Sequence, residues 1–104
     1  MIAPRKSSAM LERARQSTQD GREQAARELL EWEKVEGAIR EAAGKGFEQV
    51  TLTPAIPVDI KNTDQAQATE RKLQHLGFST RWDERAGPEQ GMRLYALIVG
   101  WGGS

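Results

Sequence analysis

The chain has no cysteine, which removes disulfides, thiolate catalysis and cysteine-based metal sites together. It has one histidine, His75. No second imidazole exists to complete a zinc site, and TERKLQHLG lacks the histidine spacing of a metalloprotease helix. It has no net charge, because 15 Lys and Arg balance 15 Asp and Glu. The whole chain is therefore not drawn to nucleic acid or to an anionic membrane. It has no long apolar run either: the stretch from Leu94 to Val99 is too short to span a bilayer, and no apolar h-region opens the N-terminus. These absences lead us to expect a soluble chain. At 104 residues there is room for one core.

What is present reads as an arm followed by a single small domain. Residues 1–21 carry four basic and two acidic residues, and SSAMLERARQSTQDG has a thin apolar side that Gly21 would close. Such a face is too thin to hold a helix alone in water. Two readings stay open for this arm, a disordered tail when free or a segment ordered by packing on its own sheet or on another subunit. From Arg22 to Ala43, apolar residues at Ala25, Leu29, Trp32, Val35, Ile39 and Ala42 recur at steps of three or four, which predicts one helix. Ala26 and Leu30 widen that stripe beyond one face. Gly44 is expected to take the left-handed position that ends the helix.

FEQVTLT (47–53) alternates as a strand does, and the prolines of PAIPVDIKNT stop it. A second helix is expected over about 64–76, capped by Asn62 or Thr63 and closed by Gly77, with Phe78 folding back on Leu73. FSTRWD and MRLYALIVGW supply two more strands. The first two should run parallel through a crossover helix. The third is apolar on both faces and belongs between them. The expected fold is α+β: a three-stranded mixed sheet of order 1-3-2 with two main helices on one face and a helical or extended N-terminal arm. The domain assignment is an arm at 1–21 and one α+β domain at 22–104.

No reaction chemistry follows from the residues. Asp83 and Glu84 beside Trp82 are the nearest approach to paired carboxylates, yet nothing places one in an apolar pocket and the other in a polar one. GKGF (44–47) lies between helix and strand, the reverse of a phosphate-cradling loop. No serine has a histidine placed to activate it. Arg71, Lys72, Arg81, Arg85 and Arg93 do not make an uninterrupted basic stripe, so nucleic acid is not an expected partner. No catalytic, metal or cofactor residue is assigned, and the chain is read as not an enzyme.

The last strand is the most informative feature. Leu94, Ala96 and Ile98 face one way, and Tyr95, Leu97, Val99 and Trp101 the other. With helices on one side only, three or four apolar groups would lie on the open face, the kind of patch that marks a protein interface. The candidate interface is therefore Leu94, Ala96 and Ile98, together with Ile2, Met10, Leu11, Arg13 and Arg15 of the arm.

AIREAAGKGFEQVTL, LQHLGFSTRW and YALIVGW, in that order over about residues 35–101, resemble small proteins encoded by tailed bacteriophages and prophages. That resemblance implies a non-enzymatic virion subunit, either capsid-associated or a neck or tail component. Its partners would be copies of itself and other virion proteins, with no membrane contact and assembly in the host cytoplasm. It carries no active-site residue with it. The alternative is a small phage-encoded regulator or inhibitor that binds a host protein or nucleic acid.

Overall fold

The computed structural model describes residues 3–56, 58–86, 91 and 93–102, with side chains from Ala9 onward. Six elements follow in order: α1 (Ala3–Leu30), α2 (Trp32–Gly44), β1 (Gln49–Leu52), α3 (Asp64–His75), β2 (Ser79–Ala86) and β3 (Arg93–Gly100). The fold is α+β, and the strand order is β1-β3-β2. Both outer strands pair antiparallel with β3. They therefore point the same way without bonding to each other. Every bonded pair is antiparallel, so the sheet is not the mixed one expected; β3 separates the two parallel strands.

The arm and first helix differ from expectation. Helix α1 runs through Gly21 without a break, and the single helix expected over 22–43 is instead interrupted at Glu31. There the backbone turns to φ −57°, ψ 134°, and the carbonyls left free by the break find other donors. The Thr69 hydroxyl and the Gln65 amide of α3 donate to the Leu30 carbonyl at 2.9 and 3.1 Å, and Lys34 Nζ donates to the Glu28 carbonyl at 2.8 Å. A helix end needs such partners for its last carbonyls. The break explains the wide stripe. It lets α1 bury Ala26 and Leu30 while α2 turns Val35 and Ala42 inward.

Gly44 is not the left-handed residue. It is the last residue of α2, and Gly46 takes that role with φ +92°. The Phe47 amide then donates to the Ala42 carbonyl and the Gly46 amide to that of Ala43, both at 3.0 Å. That pair of bonds is a Schellman ending. Helix α3 ends identically: Gly77 has φ +97°, Phe78 donates to Leu73 and Gly77 to Gln74. Its start is capped by Thr63, whose hydroxyl accepts from the Ala66 amide at 3.1 Å. Glu23 of α1 also accepts the Asp64 amide at 2.8 Å, tying α1 to α3.

The core is one cluster on one face of the sheet. Leu52, Leu97 and Val99 meet Ala26, Leu30, Val35, Ala66 and Leu73 from the three helices, with Ile60 from the loop. Trp82 and Val50 pack at its margin. The Lys72 ammonium sits 4.2 Å from the centre of the Trp32 ring, which holds α3 against the first residue of α2 by a cation–π contact.

Candidate functional site

Helix α1 divides into two parts. Its C-terminal third is docked, with Ala26 and Leu30 fully buried. From Ala9 to Gly21 every residue is exposed. The whole helix is 28 residues, about 42 Å at the α-helical rise, and the molecule measures 63 × 29 × 21 Å along its principal axes. The arm is therefore a helix that projects from the domain.

Four of the sequence-identified interface residues lie on this projection. Met10 is 72% and Leu11 50% exposed, and Arg13 and Arg15 are exposed as well. They do not form one patch. Successive positions differ by about 100° around a helix, so Leu11 shares a row with Arg15, while Met10 shares one with Arg13 and Ala14. Within the projection, Gln16 donates to Asp20 at 3.0 Å and the Thr18 hydroxyl to the Ala14 carbonyl at 2.8 Å. Ile2 lies outside the described residues.

The sheet half of the expected interface is not an open apolar patch. Ala96 is fully buried and Ile98 is 7% exposed within the single chain, and Leu94 is half-buried. The register gives the reason. Ile98 lies between Thr51 on β1 and Arg81 on β2, and Ala96 lies opposite Asp83. A central strand has a row of neighbours on each side, which narrows what its own apolar side chains can expose.

The charged candidates separate in the same way. Asp83 and Glu84 are neighbours in β2 and so point to opposite faces. Arg85 Nε holds Asp83 at 2.8 Å, and an Arg93 guanidinium nitrogen holds Glu84 at 2.7 Å. His75 is exposed at the end of α3. Among the described residues no three metal-ligating side chains come together, and no helix is long and apolar enough to cross a membrane.

Three large exposed apolar residues lie outside the interface expected from the sequence. One, Leu76, is 55% exposed at the C-cap of α3, although its spacing from Ala66, Thr69 and Leu73 predicts a place on the buried side. Phe47, 59% exposed, lies with Ala38, Ala42 and Val50 on a groove of about 450 Å³ beside β1. Ile56, 54% exposed, flanks α1 beside a cavity of about 570 Å³ that Arg22, Asp59, Arg93 and Tyr95 also line. Phe47 had a legible signal: a hydrophobic residue directly after the left-handed glycine folds back on the helix it ends. Ile56 had none, because a loop residue between prolines carries no periodicity. Comparison with protein-family models, with curated proteins and with solved structures finds no match to this chain.

Proposed function

We propose that this chain is a non-enzymatic contact protein, a virion subunit of a tailed phage that engages copies of itself and other virion proteins through its projecting helix. The observation that carries this reading is the unbroken exposure of α1 from Ala9 to Gly21, with Met10 and Leu11 held in water. A helix polar on nearly every side gains little by folding against its own domain and is suited to bridging between bodies. Arg13 and Arg15 flank the apolar pair and suit an acidic partner surface. The phage setting is supported by the resemblance of residues 35–101 to small phage-encoded proteins, and the virion, assembled in the host cytoplasm, is the corresponding location.

The test uses the exposure itself. Replacing Met10 and Leu11 together by glutamate touches no buried contact, so the unfolding free energy of the isolated subunit should change by no more than about 1 kcal/mol, the range of two surface changes. Assemblies larger than the basic unit should disappear from light scattering. A double variant that assembles like the parent overturns the reading.

A further inference from the structure

The second free surface is the outer edge of β2. It is the terminal strand of the sheet and eight residues long, against four for the other edge strand, β1. A terminal strand presents a row of unpaired amides and carbonyls, which proteins close with prolines, bulges, covering segments or charges. β2 contains no proline, and its register to β3 runs without a skip from Ser79↔Gly100 to Ala86↔Arg93, so no bulge twists the edge away. Among the described residues no other segment makes a backbone hydrogen bond to β2, which leaves the charges, and their order favours one partner.

We infer that this edge pairs antiparallel with β2 of a second copy, about a two-fold axis at Trp82, joining two sheets into one of six strands. In a two-fold antiparallel pair, residues facing each other share a sheet face and their numbers sum to a constant. With the axis at Trp82, Arg81 of each copy meets Asp83 of the other, Thr80 meets Glu84, Ser79 meets Arg85, and the two Trp82 rings face each other. Moving the axis one residue either way sets Arg81 against Arg81, or Asp83 against Asp83 with Arg81 against Arg85. One step further along, at Glu84, that carboxylate meets itself. An axis at Thr80 also avoids like charges but sets Arg81 against Ser79, so only the Trp82 register both keeps like charges from lying directly opposite and gives Arg81 a carboxylate. Arg81 is exposed and in none of the ion pairs among the described residues, so the second copy supplies the carboxylate it lacks. The axis is perpendicular to the sheet, leaving the helices of both copies on one face.

This inference deepens the reading that copies of the chain contact one another, but it makes no use of the arm, so the glutamate pair at Met10 and Leu11 should leave it intact. Its test is a charge exchange. In Arg81→Asp, and equally in Asp83→Arg, both contacts across the axis become like-charged, and each variant should scatter light with half the mass of the parent dimer. Mixed one to one, every facing pair is again opposite in charge, and the dimer should return. Circular dichroism on each variant checks that it is folded. Because the chain has no cysteine of its own, a second test mixes Arg81→Cys with Asp83→Cys. Side chains directly opposite have Cβ atoms about 5 Å apart, so the mixture should oxidise to a covalent dimer faster than either variant alone. A monomeric parent at all accessible concentrations, charge variants that dimerise as the parent does, or a folded mixture that stays monomeric overturns the inference.

Discussion

Gly46 and Gly77 each end a helix with φ above +90°, and at neither would an added Cβ meet an atom within 4 Å. The demand on these positions is conformational and not steric. Gly77→Val should therefore lower the unfolding free energy by about 1–2 kcal/mol in urea titration, the cost of forcing a residue with a side chain into the left-handed region. Gly44→Ala, at a helical position with the same open surroundings, should raise it by up to about 1 kcal/mol. If the two changes shift stability in the same direction, the assignment of left-handed residues is wrong. At this scale the sequence was legible but ambiguous. Gly77 stands alone after its helix, whereas AAGKGF offers two glycines two residues apart. What settles it is the aromatic that follows: Gly46–Phe47 and Gly77–Phe78 are the same pair in the same role.

The break between α1 and α2 is the feature of element scale that the pattern hid. Ala25, Leu29, Trp32, Val35 and Ile39 keep helical period across Glu31, so periodicity alone predicts continuity. The contrary sign was the second row at Ala26 and Leu30. The cause lies elsewhere in the chain, in Thr69 and Gln65 of α3, whose bonds to the Leu30 carbonyl span 39 and 35 residues of sequence. No local rule reports a partner at that distance. Thr69→Val keeps the volume and removes the hydroxyl from a site that is 4% exposed. It should cost about 1–3 kcal/mol, the penalty for weakening a buried carbonyl's bonding, read by chemical denaturation. An unchanged midpoint would show that Gln65 alone satisfies the break. The arm poses a different element-scale question. A helix propagates cheaply from an end already docked, because the nucleating turn is formed, and that is why α1 extends through SSAMLERARQSTQDG in spite of its thin face. Gly21 is the weak point. With nothing within 4 Å of its Cβ position, Gly21→Ala should favour the helix by about 0.5–1 kcal/mol, seen as deeper ellipticity at 222 nm.

For the whole molecule, the projecting helix sets the dimensions. The Cα radius of gyration is 17.0 Å, whereas a compact chain of this length would have about 13 Å. Small-angle scattering of the monomer should reproduce the larger value, after allowance for hydration and side chains; the compact value would mean that the arm folds over the domain. Class, strand order and the helix-covered face were legible because each rests on alternation, turn chemistry and the two-faced β3. The burial of Ala96 and Ile98 was not, because it depends on Thr51, Arg81 and Asp83 arriving beside them from two other strands. The same central strand has a consequence for the order of events during synthesis. β1 and β2 are made first and can form no bond with each other, since the place between them belongs to residues not yet translated. Until β3 leaves the ribosome the sheet has no ladder at all, and both waiting strands are open edges of the kind that pair with the wrong chain. Helices α1, α2 and α3 can form locally in that interval, but the core face has to wait for Leu97 and Val99. The nascent chain thus passes abruptly from helices without a floor to a closed domain, and it is in that last step that a chaperone or a neighbouring copy has most to influence.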